Sequence, residues 1–303
     1  MISTRLVTAG ALALVLWAGG CATQSSALNQ DTFEARKKLT RELIARDEWA
    51  TAFGYAAAMP RERPRDAAVL VLRGTIYRER GLWAESEADL VAAIDLDGRS
   101  PEAHAALGIL YDVTMRPEAA EPQHREAVKL APNSVSYLNN LGFSMFLRGK
   151  SKDAITYYQK AARLEPASRR VRTNLGFAFA ATGDLRRAAH EFDMGGTPAE
   201  SKNNLGFAYA RRGDFGHAYD LYLEATGLDP KSTHARSNLV HAAHELGRPI
   251  PAAAAPPATE VVVTSDALGV APALSPAPAS PSVASPGAPP NSDQPTFKQD
   301  NRP

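Results

Sequence analysis

Gly74, Gly108, Gly142 and Gly176 stand 34 residues apart, and Gly206 follows after 30. Seven residues behind them runs a second row, Gly81, Met115, Gly149, Gly183, Gly213 and Gly247. A third row is Ser86, Ala120, Ala154, Ala188 and Ala218, and a fourth is Ala93, Ala127, Ala161 and Ala225. Pro132, Pro166 and Pro230 close several of the units. A repeat of this length constrains the fold more than any bulk property. One such unit cannot bury its apolar face alone, so the units must stack on one another in a line.

Small and aromatic positions at a 34-residue period resemble the tetratricopeptide repeat, two antiparallel helices per unit. The fold expected is therefore all-α, a right-handed superhelical solenoid of about six helical hairpins plus a capping helix. The units fall at 33–66, 67–100, 101–134, 135–168, 169–198 and 199–232, with the cap at 233–247. Each row has a physical cause. The first glycine lets the second helix approach without a Cβ between, and the second supplies a left-handed cap after the first helix. Alanines fit the narrow gap between helices, and Leu107, Leu141, Leu175, Leu205 and Leu239 should fill a continuous core. The first unit is degenerate, with Thr40 in place of the glycine and Asp47 at the turn; its charged first helix, 31–46, reads as a solvated cap. The third is irregular at Met115 and Pro117, and the fifth is short, by loss of a turn near Gly195 and Gly196.

One tetrapeptide, Asn-Leu-Gly-Phe, occurs three times, at 140–143, 174–177 and 204–207. Packing accounts for Leu and Gly. The resemblance places the remaining two residues on the concave side of the first helix. Asn140 with Phe143, Asn174 with Phe177, and Asn204 with Phe207 are three apart and share a helix face; Asn238 continues the asparagine row. An amide offers a donor and an acceptor, so such a row can hold the backbone of an extended peptide. Three phenylalanines along one wall would make an exposed apolar strip, which a surface rarely carries without a partner. These seven residues are the expected peptide-binding groove.

Other chemistry finds little support. The formal net charge is +1, from 34 basic and 33 acidic residues, which gives no footprint for nucleic acid. His234, His241 and His244 fall on one helix face, but without a cysteine beside them they read as the polar side of the cap, so no metal is expected. No Gly-rich phosphate loop, serine elbow or His-Glu-x-x-His run is present, so neither a cofactor nor an enzyme is expected.

The two ends of the chain differ from its middle. Residues 1–20 have a basic start at Arg5, an apolar run from Leu6 to Trp17 and small residues before Cys21, the lone cysteine; this is the pattern of a secretory signal. It resembles the lipobox of bacterial lipoproteins, with Ala18 where that pattern prefers Leu. The resemblance implies lipidation of Cys21, a linker over 21–32, and, because Ala22 follows rather than Asp, the periplasmic face of the outer membrane. From position 248 onward lie 13 of the 22 prolines, and a Pro/Ala/Ser-rich tail over 248–303 is expected to stay disordered. Residues 260–264, Glu-Val-Val-Val-Thr, hold its one run of β-branched residues. Lipobox, repeats and the phrase AESKNNLGFAYARRGD after a clipped helix resemble the tight-adherence (Flp) pilus assembly lipoproteins. That implies a non-enzymatic scaffold whose partner is a pilus or secretion component of the envelope. A type IV pilotin that escorts a secretin, and an adapter that gathers cell-wall hydrolases, are the competing readings.

Overall fold

The computed structural model describes residues 31–251, so the signal, Cys21 and the tail beyond Pro251 lie outside the described residues. Among the described residues the chain is wholly helical, without a strand. The first helices of successive hairpins are α1 (31–45), α3 (Ala67–Glu79), α5 (Pro101–Val113), α7 (Val135–Leu147), α9 (Arg169–Ala181) and α11 (Pro198–Ala210). Their partners are α2 (Trp49–Glu62), α4 (Trp83–Leu96), α6 (Pro117–Leu130), α8 (Ser151–Leu164), α10 (Leu185–Gly195) and α12 (Phe215–Leu228), and α13 (Thr233–Glu245) follows. The chain divides into two compact units after Ala106, within α5.

The helices begin where short polar side chains can take up free backbone N–H groups. Asp66, Ser134 and Ser232 accept from the third residue onward at the starts of α3, α7 and α13. Thr197 and Glu200 form a reciprocal capping box at α11, with Pro198 in the first helical position. First helices end in a left-handed residue. At α7, Lys150 N–H donates to Met145 O and Gly149 N–H to Phe146 O, both at 2.9 Å, the hydrogen bonds of a Schellman cap. Five of these turn residues are glycines with φ between 62° and 89°, whereas Asp47 and Met115 hold the same conformation at 58° and 57°. A side chain with a Cβ is strained there by about 1–2 kcal/mol. Met115→Gly should therefore raise stability by about 1 kcal/mol after the entropy of glycine is subtracted, read as a shifted urea midpoint.

Within each hairpin the glycine row meets a large side chain. A Cβ at Gly74, Gly108, Gly142, Gly176 or Gly206 would lie 2.5–2.8 Å from Leu90, His124, Tyr158, Phe192 or Tyr222 respectively. The first hairpin inverts the arrangement, with Thr40 and Ala56 both fully buried. Its first helix is not the solvated cap expected from its charge: Phe33, Lys37, Thr40 and Leu43 form one buried stripe. Phe33 and Leu43 join Ala52, Ala56, Met59, Val69 and Ile76 in a core. The Lys37 ammonium is tied down by Asp66 at 2.8 Å.

In the second unit Leu138, Leu141, Val171, Leu175 and Phe179 share a core with Tyr158 and Phe192, and Leu205 packs against it only half-buried. α10 has 11 residues where the other second helices have 14, so the short fifth unit has lost most of a turn. The lost turn lets α10 end hard against the start of α9: a Cβ on Gly195 would stand 2.7 Å from that of Arg172.

Candidate functional site

The repeated tetrapeptide is not an open groove. Phe143 and Phe177 are only 5 % and 4 % exposed. The Phe177 ring packs on Phe192 of its own hairpin at 4.8 Å and edge-on against Phe207 of the next at 5.9 Å, leaving Phe207 half-buried. Asn140, Asn174, Asn204 and Asn238 are all buried. The expected exposed apolar strip is therefore corrected: three-residue spacing put Asn and Phe on one helix face, but that face meets the neighbouring hairpin and not solvent.

Two of these asparagines, Asn174 and Asn238, act as struts between helical hairpins. Asn174 Nδ2 donates to Asn139 Oδ1 at 2.9 Å, and 64 residues later in the chain Asn238 Nδ2 donates to Asn203 Oδ1 at the same distance. Both bonds span 35 positions, so each joins the first helix of one unit to that of the next. Their acceptors, Asn139 and Asn203, are the residues that sequence reasoning missed. Doubled asparagine at 139–140 and 203–204 was the available signal. The joint between α9 and α11 lacks this pair because Thr173 stands where an acceptor amide would be.

One strut is incompletely satisfied. Asn139 is 1 % exposed, and its Nδ2, like Asn174 Oδ1, has no hydrogen-bond partner. Leaving a buried donor or acceptor unmade costs about 1–3 kcal/mol. Asn139 also lines a cleft of about 250 Å³ between the first turns of α7 and α9, with Val135, Ser136, Glu165, Ser168, Arg170 and Val171. Ser168 caps α9 without its side chain engaging the backbone. The cleft thus combines two valines, two hydroxyls, Glu165 and Arg170 with one amide, that of Asn139, whose Nδ2 is unpartnered. A peptide backbone, which brings one carbonyl and one N–H per residue, matches that chemistry.

A second polar cluster lies wholly inside. Asp112 of α5 accepts from His124 Nε2 of α6 at 2.9 Å and from the Ser144 hydroxyl of α7 at 2.9 Å, and all three are buried. The Tyr158 hydroxyl of α8 is buried without a partner; burial first, and then the Asp112 charge, push its ionisation well above the ordinary tyrosine range. The three side chains are the set of a hydrolase triad, but the carboxylate sits in the middle and none reaches solvent, so the cluster is structural. In the cap, His241 packs edge-on against Phe215 at 5.8 Å, while His234 and His244 are exposed.

Comparison with known proteins agrees with this architecture. Residues 135–168 and 199–232 each match a family model of the tetratricopeptide repeat. Over 118 residues the chain is 30% identical to a type IV pilus assembly protein, PilF of Pseudomonas aeruginosa, covering 38% of this chain and 46% of the relative. It thus spans about half the length of that curated relative. The crystal structure of PilW, a type IV pilus biogenesis factor, superposes with a TM-score of 0.59 at 16% identity, covering 69% of this chain and 97% of that one. The structure of Pseudomonas aeruginosa PilF gives 0.57 at 18% identity over 71% and 98%. At such identities these two structures bear on the fold alone.

Proposed function

We propose that this chain of tetratricopeptide repeats is a non-enzymatic scaffold that assists assembly of a pilus or secretion machine. A lipid on Cys21 holds it at the periplasmic face of the outer membrane, and a peptide segment of an envelope partner seats in the cleft between α7 and α9. The observation that carries the pilus assignment is the 30% identity over 118 residues to a protein named for type IV pilus assembly. That relative favours a type IV machine over the tight-adherence apparatus suggested by the sequence phrase. An escort for a secretin belongs to the same class of role. The peptide reading rests on the cleft itself, where a buried amide is left with an unspent donor.

Affinity capture from membranes tests both parts. Ser136 is half-buried at the cleft wall, so Ser136→Tyr should fill the space without opening the core. Loss of a pilus or secretion component from the captured set, with helicity unchanged, supports the reading. Unaltered capture removes the cleft, and capture of wall hydrolases alone removes the pilus assignment. Cys21→Ser should move the protein from the membrane to the soluble periplasmic fraction, since several acyl chains on that residue supply the hold. Retention on the membrane would end the lipid-anchor proposal.

A further inference from the structure

The shortened α10 leaves a second recess, on the side formed by the second helices. A pocket of about 250 Å³ lies among α8, α9 and α10, lined by Gln159, Ala162, Arg163, Arg172, Leu175 and Glu191. Ala162 and Leu175 are buried and form an apolar floor. Arg172 is committed, donating to Glu191 at 2.7 Å and to the Pro166 carbonyl at 2.9 Å. Arg163 is exposed and has no hydrogen bond or ion pair among the described residues. Arg163 is thus the lining charge left without a partner, in a stretch, 148–193, whose sequence holds ten Lys and Arg against five Asp and Glu. An occupant should therefore be apolar, with an acidic residue close beside its apolar part.

We propose that this occupant is the chain's own segment 260–266, Glu-Val-Val-Val-Thr-Ser-Asp. Its three valines suit the Ala162 and Leu175 floor, and Glu260 and Asp266 are the first two acidic residues beyond Pro251. The place where the chain leaves the solenoid fits. The Arg248 guanidinium lies over the Tyr219 ring at 5.0 Å and 4.0 Å from Asp220, so the end of the described chain is tied to α12, a second helix. Nine residues from Pro251 to Glu260 span about 30 Å when extended. Helices that pack 8–10 Å apart put the pocket on the order of 20 Å from α12, within that reach. So seated, the segment straps the second-helix side and leaves the α7–α9 cleft open.

Hydrogen–deuterium exchange on the full chain tests the strap. Amides of 260–266 should exchange about tenfold or more slowly than those of 280–290, independently of protein concentration. Arg163→Glu, at an exposed position that spares the core, should abolish the difference. Adding Glu260→Lys and Asp266→Lys to that variant should restore it. Fast exchange of 260–266 in the parent chain overturns the proposal. So does protection that survives Arg163→Glu, or that appears only at high concentration, which would place the segment on a second copy.

Discussion

A Gly176→Ala chain should unfold about 2 kcal/mol more readily in urea than its parent, although alanine is the better helix former by about 1 kcal/mol. The two effects oppose each other, and distance decides between them. A Cβ on Gly176 would meet Phe192 Cε1 at 2.5 Å. Phe192 cannot step aside, because it is fully buried and its ring packs at a tilt against Phe177. Gly54, in the middle of α2, has nothing within 4 Å of a built Cβ. There only the propensity term survives, so Gly54→Ala should stabilise by about 0.5–1 kcal/mol. The first hairpin also supplies the design for rescue, since it holds Thr40 and Ala56 where the fifth holds Gly176 and Phe192. Gly176→Thr with Phe192→Ala should lose less than the sum of the two single changes, with a coupling of about 1–3 kcal/mol. If Gly176→Ala stabilised the protein as Gly54→Ala does, close helix approach would not be the reason for the glycine row.

That pairing of small with large residues explains how the fold could be read from the sequence. Glycines at fixed spacing, alanines twelve residues beyond them and left-handed turn residues each impose a local geometry, and their registers agree. Asp47 and Met115 adopt the turn conformation without glycine because the flanking helices leave the chain no other. The site was less legible, for a geometric reason. Helical spacing fixes which residues share a face but not what the face meets. In a stacked array a helix has neighbours in its own hairpin and in the next, so Phe143 and Phe177 disappear into the joint. Charge misled at α1 in the same way, since Lys37 is buried beside its partner Asp66. The Asp112 cluster draws on three helices, and pattern alone could not assemble it. One trace was present: the row Leu90, Tyr158, Phe192 and Tyr222 is broken by His124.

The same cluster carries the largest stability effect. Asp112→Ala should cost about 3–5 kcal/mol, because it strips two buried donors of their acceptor at once. A carboxylate can only accept, so His124 Nε2 and the Ser144 hydroxyl both point their hydrogens at it. His124 has no second use for that hydrogen, and its Nδ1 is itself unpartnered. The ring is pinned as well, since Gly108 would place a Cβ 2.7 Å from it and so marks the contact as close. Against a total stability of about 5–15 kcal/mol, such a loss removes at least about a fifth of it. Removing the whole network should be far milder. Asp112→Leu, His124→Phe and Ser144→Ala together restore the aromatic seen at Phe192 and strand no further donor beyond the Tyr158 hydroxyl, which the parent already leaves unpaired, so the triple variant should fall within about 1–2 kcal/mol of the parent. Urea unfolding of the single and triple variants separates the two explanations. If Asp112→Leu alone, which fills the space but strands both donors, recovers as fully as the triple variant, the cost belongs to cavity formation at α5, whereas recovery in the triple variant only assigns it to the stranded hydrogen-bond donors.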